Sequence, residues 1–90
     1  MQAIKATVHG RVQGVGFRYT ARRAAQELGV VGWVRNLTSG AVEVWAQGPD
    51  DAVERFTEFL EKGPPGAVVD SVDVAEVEPD PALAGFHITF

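Results

Sequence analysis

The spacing of apolar side chains changes period repeatedly along these 90 residues, and that change constrains the fold more than any other feature. Ile4, Ala6 and Val8 alternate with Lys5, Thr7 and His9, the period of two expected of a half-buried strand, and Gly10 ends the run. From Phe17 the apolar positions fall four, three and four apart at Ala21, Ala24 and Leu28, with Arg18, Arg22, Arg23, Gln26 and Glu27 between them. This spacing predicts an amphipathic helix closed by Gly29. Val30 to Leu37 is rich in β-branched and aromatic residues, Thr38-Ser39-Gly40 supplies a turn, and Val42, Val44 and Ala46 alternate with Glu43, Trp45 and Gln47. A β-hairpin follows. After Gly48-Pro49, Asp51-x-x-Glu54 reads as a capping box ahead of Val53, Phe56 and Leu60, and Lys62-Gly63-Pro64-Pro65 stops this second helix. Two short strands are expected last, roughly Val69 to Val77 and then Phe86, Ile88 and Phe90 in alternation.

The order βαββαβ with a final edge strand predicts an α+β, ferredoxin-like sandwich: an antiparallel sheet of four to five strands with two helices on one face. Residues 1–90 are expected to form one domain, since so short a chain buries only about 60 to 65% of its unfolded surface. There is no cysteine, which excludes disulfides, a thiolate nucleophile and a cysteine zinc site. The N-terminal residues lack a signal-like apolar stretch, and no run approaches the ~20 apolar residues of a membrane helix, so a cytoplasmic protein without membrane contact is expected.

Charge divides along the chain. Residues 1–40 hold six cations against Glu27, net +5, while residues 41–90 hold eleven acids against Arg55 and Lys62, net −9. An anionic ligand should therefore meet the first part. The overall charge of −4 disfavours nucleic acid, which requires many phosphate contacts at once, and points to a small anion.

Two places could hold such an anion and act on it. The first is the connection Arg11-Val12-Gln13-Gly14-Val15-Gly16-Phe17-Arg18, where Gly10, Gly14 and Gly16 permit conformations that let backbone N–H groups converge at a helix N-terminus. Arg18 stands in the first helical turn, where a cation opposes the helix dipole unless an anion offsets it. A tight turn with a solvated arginine is the plainer account. Neither a dinucleotide fingerprint nor a nucleotide P-loop fits these glycines. The second place is Asn36, the only asparagine, late in a strand where asparagine is disfavoured. Its carboxamide could orient a water molecule, or it could merely start the hairpin turn. His9 and His87 read as surface residues, and Trp33 and Trp45 as packing on a sheet face. With two separated histidines and no cysteine, no metal site is expected.

Gly10-Arg11-Val12-Gln13-Gly14-Val15-Gly16-Phe17-Arg18, followed by Gly32-Trp33-Val34-Arg35-Asn36 and Gly40-Ala41-Val42-Glu43, resembles the acylphosphatase family. The resemblance covers essentially the whole chain, including Gly48-Pro49 and Gly63-Pro64 around the second helix. It implies a hydrolase of acyl phosphates that needs neither cofactor nor metal, with inorganic phosphate as product and inhibitor. By the same resemblance Arg18 and the amides of the 11–18 loop bind the phosphoryl group, and Asn36 positions the attacking water. A monomer acting on a small molecule is expected. The alternative class is a ferredoxin-like module that captures phosphate without turnover; phosphate release from acetyl or benzoyl phosphate separates the two. An RNA-binding module is disfavoured by the charge and by strands without clustered exposed aromatics.

Overall fold

The computed structural model describes residues 1–90. Its elements are β1 (Gln2–Arg11), α1 (Phe17–Leu28), β2 (Val31–Asn36), β3 (Val42–Gly48), α2 (Asp50–Lys62), β4 (Val68–Glu76) and β5 (Phe86–Ile88). The strands form one sheet in the order β4-β1-β3-β2-β5. β1 pairs antiparallel with both β3 and β4, and β2 antiparallel with β3, so each helix joins two strands that have a third strand between them. That is the split arrangement of the ferredoxin-like plan.

Alternation in the strands and the helical stripes meet in one core. Ile4, Ala6 and Val8 of β1 and Val42, Val44 and Ala46 of β3 face Phe17, Ala21 and Ala25 of α1 and Val53, Phe56 and Leu60 of α2. Both helices therefore cover the same face of the sheet. Phe56, fully buried, meets Phe86 edge-on with ring centroids 5.5 Å apart. Burying a side chain of this size contributes about 1.5 to 3 kcal/mol. In α1 Ala25 is fully buried along with Phe17 and Ala21, while Ala24, which the apolar spacing placed on the stripe, packs at the margin of the core. Gly29 closes α1 in the left-handed region at φ 77°, and its N–H donates to the Ala25 carbonyl.

Three features differ from the sequence reading. The sheet is mixed, because β5 runs parallel to β2, with Gly32 opposite Phe86 and Val34 opposite Ile88. β4 ends beside Ile4, and β2 begins at that same end of the sheet, opposite Gln47. A strand entered from the short 77–85 crossing must then run alongside β2 in the same direction. The capping box also does not form: Pro49 is the N-cap, without a side-chain bond, and its carbonyl accepts the Val53 N–H at 3.0 Å. Asp50 and Asp51 lie instead inside the first turn, where they favour the helix dipole. Finally, Glu43 and Gln47, which alternate outward from the core, are only 8% and 3% exposed. Lys5 and Arg35 enclose the Glu43 carboxylate, with Arg35 Nη2 at 2.6 Å, and the Gln47 carboxamide exchanges hydrogen bonds with the Asp80 backbone. Trp33 and Trp45 stack on this second face of the sheet, 6.4 Å between centroids. No helix is long and apolar enough to cross a membrane.

Candidate active site

The 11–18 loop is shaped by backbone constraints that begin at the end of β1. The register between β1 and β4 slips between His9 and Gly10, and Gly10 takes φ 130°. A Cβ at this position would overlap the Val68 carbonyl oxygen, so only glycine lets β4 stay paired as the chain leaves the sheet. Val12, buried, then holds the start of the loop in the core, and Phe17, also buried, pins its end against Phe59 at 6.0 Å. Between these anchors Gly14 and Gly16 have positive φ (75° and 76°), while no other residue type in the chain does, so φ alternates in sign from Gln13 to Gly16. Alternation of this kind turns successive N–H groups toward one side and makes an anion-binding concavity.

The amides are free for that purpose. None of the backbone N–H groups from Val12 to Tyr19 donates to a backbone carbonyl; the first such bond in α1 is Thr20 N–H to the Gly16 carbonyl, 3.0 Å. Gly16 is the N-cap and offers no side chain, and the first turn carries no acid. Orphan donors and an uncompensated positive dipole end thus stand together.

Arg18 lies half-buried in this first turn. No ion pair of the chain involves it; its guanidinium sits over the Phe90 ring, 5.2 Å from the centroid. Arg11 is exposed at the end of β1. Asn36 is the last residue of β2 and lies opposite Val42. Val34, two residues earlier, is a core residue, so Asn36 extends the helix-facing side of the strand. Its Oδ1 is buried and has no hydrogen-bond partner in the chain. The turn after it is closed by Leu37 N–H to the Ala41 carbonyl, 2.8 Å.

The loop and this turn are joined through Gln13, whose Nε2 donates to the carbonyls of Leu37 (2.7 Å) and Ala41 (2.9 Å). Sequence reading placed Gln13 in the loop only for its backbone. It missed the reach of the side chain, and it missed Phe90 as the neighbour of Arg18; a polar loop residue and the last of an alternating run carry no local sign of either contact. The histidines lie at the surface as expected, His9 Nε2 at 2.9 Å from Asp73 Oδ2 and His87 Nε2 at 2.8 Å from the Ala84 carbonyl. A hollow of about 380 Å³ lies at the opposite end of β1. Asp50, Glu54 and Glu76 line it, so it disfavours an anion.

Comparison with known proteins supplies a family. A family model described as acylphosphatase matches residues 4–88. An acylphosphatase of Thermotoga petrophila is 50% identical over 80 residues, which cover 89% of each chain. One of Mesorhizobium japonicum is 48% identical over 87 residues, 97% of this chain and 93% of its own. The crystal structure of acylphosphatase from Bacillus subtilis superposes with a TM-score of 0.95 at 37% identity, over the whole of both chains. With the family model spanning nearly every residue and relatives of this identity matching end to end, the chain belongs to the acylphosphatase family.

Proposed function

We propose that the chain hydrolyses acyl phosphates by direct attack of water on phosphorus, with the 11–18 loop and Arg18 holding the phosphoryl group and Asn36 holding the water. Family membership decides between turnover and mere capture of phosphate; the assignment of roles rests on the residues. The observation that carries it is the run of unpartnered amides from Val12 to Tyr19, beside an arginine with no carboxylate of its own. Amides and a planar guanidinium fork bind the phosphoryl oxygens and offset the charge that spreads over them in the transition state.

The reaction needs little else. Water adds to phosphorus, the P–O bond to the acyl group breaks with its electron pair on the carboxylate, and both protons of the water end on inorganic phosphate. The departing carboxylate has a conjugate acid of pKa near ~4, so no general acid is required. Asn36 Oδ1 suits the water: a buried acceptor left unpaired costs about 1 to 3 kcal/mol, and a water molecule is a donor small enough to satisfy it. All of these groups come from one chain, and the working form is taken to be a monomer.

The test is release of inorganic phosphate from acetyl or benzoyl phosphate in the presence of EDTA. The expected result is an undiminished rate with phosphate as a competitive inhibitor, and weak action on phosphate monoesters, whose alkoxide leaving group needs an acid. Activity that disappears on chelation and returns with a divalent ion overturns the metal-free reading.

A further inference from the structure

The two halves of the proposed site lie on separate segments, and the hydrogen bonds between those segments are few. Of all the bonds made by residues 11–18, those reaching the turn at 36–41 are the two donated by the Gln13 carboxamide, to the Leu37 and Ala41 carbonyls. The first of these carbonyls belongs to the residue after Asn36. Gln13 itself stands between Val12, fixed in the core, and Gly14, the first left-handed residue of the amide concavity.

We infer that the Gln13 side chain is a positioning residue that sets the distance and angle between the phosphoryl-holding loop and the water-holding Asn36, an inference that rests on the roles proposed above. The carboxamide has two N–H donors, and both are used here on one turn, so the link resists rotation as well as separation. Each carbonyl it meets also accepts a backbone N–H, that of Gly40 on Leu37 and that of Leu37 on Ala41. Removing the side chain therefore leaves no carbonyl orphaned, and the turn keeps its own closure. What is lost is alignment. In-line attack tolerates little misplacement: a shift of about 1 Å can cost about a hundredfold in rate. Phosphate alone, bound by the loop and Arg18, needs no alignment with Asn36.

The test is Gln13→Met, which keeps length and removes both donors, measured alone and with Asn36→Ala. Expected for Gln13→Met is a kcat lower by about ten- to a hundredfold on benzoyl phosphate, with the inhibition constant of inorganic phosphate changed by less than about twofold. With the water's partner already gone, in Asn36→Ala, the same change should lower kcat by less than about a further twofold. Gln13→Asn, too short to reach both carbonyls, should behave alike and carries the test if Gln13→Met does not fold. A normal kcat in folded Gln13 variants, an equal loss of phosphate binding, or a full multiplicative loss in the double variant overturns the inference while leaving Asn36 in its role. Normal turnover by Asn36→Ala alone overturns the role of Asn36, and this inference with it.

Discussion

Arg18 occupies a position that costs stability in the free protein, because a cation in the first turn opposes the helix dipole and no acid of that turn offsets it. A bound phosphoryl group removes the conflict. Arg18→Ala should lower kcat/KM by about ten- to two-hundredfold, the loss of a charge-assisted contact worth about 1.5 to 3 kcal/mol, and should weaken phosphate inhibition as well. Arg18→Lys should recover little, since a point charge cannot reproduce a planar fork; steady-state kinetics with near-normal kcat/KM for the lysine variant would defeat the two-pronged contact. Arg18 and Asn36 stand out as candidates in the sequence because each is a residue type out of place locally, a cation at a helix start and an asparagine in a strand. Gln13 is not out of place in a loop. Its partners lie 24 and 28 residues away, and nothing nearby in the chain announces them.

At the scale of the element, α1 forgoes two sources of helix stability, since its N-cap has no side chain and its first turn no acid, and the proposed role of its N-terminus in holding an anion accounts for both. Tyr19, in that turn and exposed, tests the trade. Tyr19→Glu should stabilise the helix by about 0.3 to 1 kcal/mol through the dipole, raising the thermal midpoint by a few degrees, and should weaken phosphate inhibition through like-charge repulsion. Thermal unfolding and inhibition kinetics on the same protein check both halves; tighter phosphate inhibition in the variant would show that the helix end does not meet the anion. The extent of α1 was readable from apolar spacing and Gly29, since both act within a few residues. The start of α2 was misread by two residues for a comparable reason: Pro49, with its fixed φ, is the N-cap and its carbonyl accepts the Val53 N–H, which overrides the local propensity of Asp51 to cap.

For the whole molecule, stability rests on the single core in which Phe56 touches both its own helix and the last strand, through Phe59 and Phe86. Phe56→Ala should cost about 3 to 5 kcal/mol, a large share of the ~5 to 15 kcal/mol of a typical domain. Denaturant unfolding gives the number, and a loss below about 1 kcal/mol would mean that the site collapses to fill the space. The sequence by itself determined the elements, their order and the face each turns to the core, because periodicity, turn residues and fixed backbone angles act among neighbours in the chain. The shape of the 11–18 loop, with positive φ at Gly14 and Gly16, was determined in the same way, by the spacing of its glycines. Only the tertiary structure decided what depends on residues far apart in sequence: the parallel pairing of β5, the burial of Glu43 beneath Lys5 and Arg35, the Phe90 ring under Arg18, and the Gln13 link to the turn of Asn36. Those contacts are made when the sheet closes and brings strand ends together, and no pattern within either partner segment encodes the other.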